Sequence, residues 1–228
     1  VNAELGANNP HTMTIVDNDA PPTIEFVTTS ENRLESDGLV NVLVRLSAPS
    51  VLAITSQFTV AGSATAPVSA TQDHDLADGA ILFNPGETET TITLTINPDT
   101  WDEPDEQVII SLVTPDNGVI GAQNTYTLSV VDDDGAPEVT FQSPTSNAVE
   151  STVSHSVLLT LSNASQSTVT VDYLIGGSAN APGTPPVDHD LIPGTVTFNP
   201  GVVSQSIDIG FVDDTIDEQD ETIGLTLS

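Results

Sequence analysis

The tetrapeptide Asp73-His74-Asp75-Leu76 returns as Asp188-His189-Asp190-Leu191, an offset of 115 positions, from 73 to 188. The same offset, without a gap, carries Gly62 onto Gly177, Glu35 onto Glu150, and Phe83-Asn84-Pro85-Gly86 onto Phe198-Asn199-Pro200-Gly201. It also carries Asp17-Asn18-Asp19 onto Asp132-Asp133-Asp134. Roughly a third of the aligned positions are identical, far beyond chance over this length. A period of this size is too long for a solenoid and matches an ordinary domain. The cuts fall at Ala20-Pro21-Pro22 and Gly135-Ala136-Pro137, just after each Asp-rich triplet. Residues 1–19 are then expected to be the last strand of a preceding domain, with Thr12–Val16 aligned to Thr127–Val131. Residues 20–134 form one complete domain, and residues 135–228 a second that ends before its own last strand and triplet. The pattern starts and stops mid-repeat, as expected of a stretch from a longer array.

Within 20–134 nearly every segment alternates with period two. Ile24 and Phe26 begin one strand, Val40, Val42, Val44 and Leu46 a longer one, and Ile54, Phe58 and Val60 a third. Ile81 and Phe83, then Ile92, Leu94 and Ile96, then Val108, Ile110 and Leu112, then Tyr126, Leu128 and Val130 complete the set. Turn residues punctuate them, including Asn84-Pro85-Gly86 and Asp116-Asn117-Gly118. No stretch has helical periodicity. Seven short strands in about 115 residues predict an all-β fold, a two-sheet antiparallel sandwich, used in tandem.

The charge narrows the function. With 33 acidic residues against two arginines and no lysine, the formal charge is −31. Such a field repels nucleic acid and anionic membrane surfaces and attracts cations. There is no cysteine, so disulfides and thiolate metal sites are both ruled out, and a metal ion is an alternative staple. No apolar run approaches the roughly 18 residues that a membrane span needs, and the N-terminus lacks a signal-peptide pattern.

The acids are not spread evenly. Residues 99–106, Asp-Thr-Trp-Asp-Glu-Pro-Asp-Glu, hold five carboxylates, and Asp-Thr-Ile-Asp-Glu-Gln-Asp-Glu repeats the turn at 214–221. So many like charges in one turn need something positive among them. Four acidic segments end strands of the complete domain: Glu35; Asp73 and Asp75; Asp99, Asp102, Glu103, Asp105 and Glu106; and Asp132–Asp134. Connections in a sandwich gather at the two ends of its sheets, so these segments can meet. Calcium takes six to eight oxygen ligands at about 2.3–2.6 Å, whereas magnesium keeps its waters, so an all-protein carboxylate cage favours calcium. Solvated acidic loops are the plainer explanation, and they suit Glu4, Asp78, Glu87 and Glu89. They suit the four clusters less well, because both repeats retain them while neighbours change. One imidazole per domain, His74 or His189, is a thin set for zinc and points to packing or hydrogen bonding. Trp101, replaced by Ile216 in the second repeat, is expected to anchor the acidic turn.

These residues resemble the Calx-beta domain family over essentially the whole chain. The resemblance rests on Glu35, Gly62-Ser63-Ala64, Asp73-His74, Phe83-Asn84-Pro85-Gly86, Glu103-Pro104-Asp105-Glu106 and Asp132-Asp133-Asp134. Each is weak alone; six in order, five of them repeated in the second domain, are specific. The resemblance implies an immunoglobulin-like sandwich with calcium in the loops at one end. It implies Glu35, Asp73, Asp99, Glu103, Glu106, Asp132, Asp133 and Asp134 as ligands in the first domain. In the second it implies Glu150, Asp188, Asp214, Glu218 and Glu221. The departures are histidine at 74 and 189, where the family usually has tyrosine, and the missing terminal triplet of the second domain.

The expected function is a calcium-binding, calcium-stiffened spacer within a large secreted or surface-anchored adhesion protein of a bacterium, outside the cell. Its partners would be neighbouring repeats of the same chain, with no nucleic acid and no membrane insertion. One alternative is a module whose calcium contacts a glycan or a partner protein. Another is a homopolymer built by strand donation, with residues 1–19 completing a domain of another chain. No enzyme is expected. The acids crowd together without an apolar neighbour to raise one of them alone, and no Ser-His-Asp order or phosphate loop occurs.

Overall fold

The computed structural model describes residues 2–8, 10–64 and 72–228. Its regular structure is almost wholly β. The first domain has β1 (Thr23–Phe26), β2 (Ser30–Leu34), β3 (Leu39–Leu46), β4 (Ile54–Gly62) and β5 (Gly79–Phe83). It continues with β6 (Glu89–Thr95), β7 (Glu106–Asp116), β8 (Val119–Ile120) and β9 (Thr125–Val131). A short 3-10 turn covers Glu35–Asp37. One sheet runs β6-β3-β1-β8 and the other β2-β9-β7-β4-β5.

Alternation places the core between the sheets, because successive side chains point to opposite faces. Along β3 the burial alternates, with Val40, Val42, Val44 and Leu46 inside. From β7 the inward residues are Val108, Ile110 and Leu112; from β9 they are Tyr126, Leu128 and Val130. The Tyr126 ring lies 5.7 Å from that of Phe26 across the two sheets, and its hydroxyl donates to Glu31 at 3.0 Å.

All seven predicted strands are present, and two more accompany them. β2, Ser-Glu-Asn-Arg-Leu, has no apolar alternation and pairs parallel with β9. β8 is two residues long and pairs parallel with β1. The frame is thus antiparallel with a parallel edge strand on each sheet, an arrangement that side-chain periodicity does not encode.

The second domain has β10 (Val139–Phe141), β11 (Ser154–Leu161), β12 (Val169–Gly177), β13 (Gly194–Phe198), β14 (Ser204–Gly210) and β15 (Ile223–Leu227). They form two sheets, β10-β11-β14 and β13-β12-β15. Residues 145–149, which align with β2, carry no strand. β2 is held by β9, whereas among the described residues β15 pairs only with β12. Val108, Ile110 and Leu112 are buried, whereas their counterparts Ile223, Leu225 and Leu227 are only half-buried. Residues 2–8 and 10–22 form no strand, and Met13, Ile15 and Val16 are exposed.

Candidate metal centre

The strand order brings the ends of β2, β6, β7 and β9 to one end of the first sandwich. Glu35 opens the 3-10 turn after β2, Glu106 opens β7, and Asp132–Asp134 follow β9. Asp73 is held by its backbone, whose carbonyl accepts from Asn97 N–H at 2.9 Å, just after β6. The Glu35 carboxylate is buried and accepts from Asp99 N–H at 2.6 Å, tying the acidic turn to the 3-10 turn. The Asp99 carboxylate in turn accepts from Trp101 N–H at 2.7 Å.

One carboxylate oxygen from each of Glu35, Asp132 and Asp134 lies within 4.8 Å of the others. Beside them a small cavity is lined by Glu35, Asp73, Glu103, Pro104, Glu106, Val130 and Asp132. Asp133 is exposed and accepts from Ser36 Oγ–H at 2.5 Å, and it does not line the cavity. Of the implied ligands of the first domain, Glu35, Asp73, Glu103, Glu106, Asp132 and Asp134 therefore converge, and Asp99 is tied to them through its N–H bond to Glu35. Asp75 turns elsewhere, accepting from Thr95 N–H at 2.7 Å, whereas Asp105 braces the cluster by accepting from Asp132 N–H at 3.2 Å.

The electrostatics record the crowding. Burial raises the Glu35 carboxyl above its ordinary value, and the charges of Asp99, Asp134 and Asp132 add to it. Glu103 is pushed up to about 7 by burial and then by Asp73 and Asp99. Glu106 is raised by burial and by a hydrogen bond shared with Asp73. Desolvation and the neighbouring Asp132 and Asp133 raise Asp134. No arginine relieves them: Arg33 pairs with Glu31 at 2.5 Å, and Arg45 approaches Glu25 at 3.9 Å. A buried group of carboxylates without a resident counter-charge either takes up protons or binds a cation.

The donor set fits a hard cation. It is entirely oxygen, and His74 does not add a nitrogen. His74 is buried, its Nδ1 accepts from Leu76 N–H at 3.2 Å, and burial lowers its pKa. His189 repeats the bond with Leu191 N–H, also at 3.2 Å. Both histidines are packing and hydrogen-bonding residues.

The second domain repeats the scaffold in a more open form. Asp214 N–H donates to Glu150 at 3.2 Å, Ile216 N–H donates to Asp214 at 2.6 Å, and Asp190 accepts from Gly210 N–H at 2.8 Å. Glu150, Asp214 and Glu218 bring carboxylate oxygens within 4.8 Å of one another. Desolvation and then Asp188, Asp214 and Glu150 raise Glu218. Glu221 is raised first by a hydrogen bond with Asp188, and then by desolvation. Yet Glu150 and Glu218 are exposed, whereas Glu35 is only 5% exposed.

Sequence reasoning did not find the role of Asp102. It faces the next domain, as one half of a parallel β-bridge with Ser165. Its N–H donates to Ala164 at 3.0 Å, and its carbonyl accepts from Gln166 N–H at 3.0 Å. Its carboxylate takes the Ser165 hydroxyl at 2.8 Å, and Gln166 donates to Glu103 at 2.9 Å. Trp101 anchors the turn as expected, but against the second domain: a methyl group on Gly201 would stand 3.0 Å from its ring. The one available signal was the change from Trp101 to Ile216 between the repeats. The acidic turn thus borders the carboxylate cluster on one side and holds the domain joint on the other.

Residues 17–134 and 132–228 each match the Calx-beta domain family. Similar curated proteins include Sodium/calcium exchanger 1 of Rattus norvegicus, 25% identical over 231 aligned residues, covering 92% of this chain and 23% of the relative. Sodium/calcium exchanger 1 of Bos taurus is 26% identical over 178 residues, covering 70% of this chain and 18% of the relative. The chain thus spans about a fifth of the length of these curated relatives. Among solved structures, CBD12 from CALX1.2 superposes with a TM-score of 0.45 at 23% identity, over 89% of this chain and 79% of that one. The chain belongs to the Calx-beta domain family and carries two tandem copies of the domain.

Proposed function

We propose, from that membership, that this chain is a calcium-binding tandem whose bound ions stiffen the array it belongs to. The observation that carries this reading is the cluster of Glu35, Glu103, Glu106, Asp132 and Asp134 around the cavity that Asp73 also lines, with both arginines paired elsewhere. Glu35, Asp73, Asp99, Glu103, Glu106 and the Asp132–Asp134 triplet would hold the ion or ions of the first domain. Glu150, Asp188, Asp214, Glu218 and Glu221 would hold those of the second. Calcium supplies the missing positive charge there and keeps all the carboxylates ionised.

A stiffening role follows from position. The triplet sits between the last strand of one domain and Val139, where the next begins. The turn that lines the cluster also grips the second domain through Trp101, Asp102 and Glu103. An ion that fixes triplet and turn together would limit hinge freedom at the joint. For the whole protein we propose an extracellular, surface-attached adhesion array. Strong acidity and a charge set suited to millimolar calcium support that setting. Thermal melts and small-angle scattering with calcium and with chelator test the reading. Calcium should raise the melting temperature and narrow the inter-domain distribution; identical curves in both conditions would refute it.

A glycan-binding reading has little to stand on, because Trp101 is occupied at the joint.

A further inference from the structure

The surface that receives Trp101 and Asp102 is built twice in this chain, once filled and once bare. In the second domain Ser165 Oγ accepts from Ser167 N–H at 3.0 Å, and the Ser165 carbonyl accepts from Gly201 N–H at 3.0 Å. In the first domain, 115 positions earlier, Ser50 Oγ accepts from Leu52 N–H at 3.0 Å, and the Ser50 carbonyl accepts from Gly86 N–H at 2.8 Å. Gly86 and Gly201 share a positive φ, 87° and 76°, so the backbone supporting each surface is the same.

The difference is occupancy. Ser165 is 2% exposed beneath the turn, and Ala164 and Gln166 are half-buried. Pro49 and Val51, at the matching positions, are exposed, Val51 at 91% and its neighbour Leu52 at 56%. Nothing lies within 4 Å of the point where a methyl group on Gly86 would stand, the place that the Trp101 ring takes against Gly201. Among the described residues the Pro49 carbonyl and Val51 amide have no backbone partner, whereas Ala164 and Gln166 give theirs to Asp102.

We propose that this face of the first domain, Pro49–Leu52 with Gly86, is a docking surface for the acidic turn of another Calx-beta domain. The occupant has the form Asp-x-apolar-Asp, as in Asp99–Asp102 and Asp214–Asp217. Its apolar residue lies over Gly86, its second aspartate bridges the Pro49 and Val51 backbones, and its carboxylate takes the Ser50 hydroxyl. Domains then stack head to tail through one repeated joint. This rests on the chain being part of a repeat array, and not on calcium binding. The second domain offers a suitable turn, since Ile216 is 55% exposed. Val51 stands where Gln166 does and has no donor for a glutamate, so this contact is weaker than the one within the chain.

The test uses two copies of the full chain, which has no native cysteine to interfere. Ser50→Cys in one copy and Asp217→Cys in the other are mixed in oxidised glutathione at about 0.15 M salt, where charge repulsion is screened beyond about 8 Å. Thr93→Cys, on an exposed sheet face of the first domain, replaces Ser50→Cys in the control, and Asp102→Cys/Ser165→Cys within one chain calibrates the geometry. The expected result is a disulfide dimer forming at least tenfold faster than the control, falling to the control rate when Val51→Asp is added. A rate equal to the control, or one that Val51→Asp leaves unchanged, overturns the proposal. Calorimetry with calcium on the same variants keeps the readings apart: heat without trapping removes only the docking surface, and trapping without heat removes only the cation reading.

Discussion

The two domains descend from one repeat, yet one encloses its carboxylates and the other displays them. Glu35 is buried against the Asp99 amide, with Asp132 and Asp134 alongside; Glu150 makes the same bond at 3.2 Å but remains exposed. The distinguishing parts are β9 and β2. β9 closes the second sheet, gives β2 something to pair with and delivers the triplet to the cluster. Among the described residues no strand pairs with the other edge of β15, residues 145–149 are irregular and Glu150 is exposed. The burial of Glu35 thus goes with strands far along the chain from it.

The core should show this contrast most strongly. Ile110→Ala removes a fully buried side chain and should cost about 2–5 kcal/mol. Its counterpart Leu225→Ala should cost clearly less, because Leu225 is already half-buried. Denaturant unfolding of the full chain, with the two transitions resolved, measures both; equal losses would break the comparison.

Calcium should act next. At a hundredfold excess over its Kd, a ligand that binds only the folded state adds about 2.7 kcal/mol. The first domain's transition should rise further than the second's in scanning calorimetry, because its ligands are more numerous and better enclosed. At the joint, Ser165→Ala removes a hydrogen bond to a carboxylate, worth about 1.5–3 kcal/mol when well buried. It should widen the inter-domain distribution in small-angle scattering. Ser50→Ala should leave that distribution unchanged in the isolated chain.

A smaller effect is expected from pH. The folded Glu103 titrates at about 7, above its ordinary value of 4.5, so the metal-free folded state holds a proton that the unfolded state has lost. That stabilisation is complete below about pH 4.5 and disappears as pH rises through about 7. With calcium the sign reverses, since the ion displaces the proton and affinity should increase across the same interval. Melts at pH 5 and pH 8, with calcium and with chelator, should therefore cross; the second domain, whose raised acids are exposed, should respond less.

Much of this could be read from the residues. Alternation located seven strands of the first domain, because each buries one face, and the repeat offset marked the carboxylates that later converge. β2 was hidden because an edge strand of Ser-Glu-Asn-Arg-Leu buries little and is defined only by its partner β9. The joint was hidden for another reason. Asp102 looks like any other member of an acidic turn, and only geometry distinguishes the carboxylate that meets Ser165 from those facing the cluster. Trp101 was legible as an anchor, but not as an anchor between domains.

The first domain's enclosed carboxylates should bind calcium tightly, and the second domain's, more exposed in this chain, should bind it more weakly. Calorimetric titration of calcium into the full chain, wild type beside Glu103→Gln/Glu106→Gln and Glu218→Gln/Glu221→Gln, measures the difference. The expected result is a tight phase that the first pair of substitutions abolishes and the second pair leaves in place. No heat in the wild type, or equal loss in both variants, would contradict it.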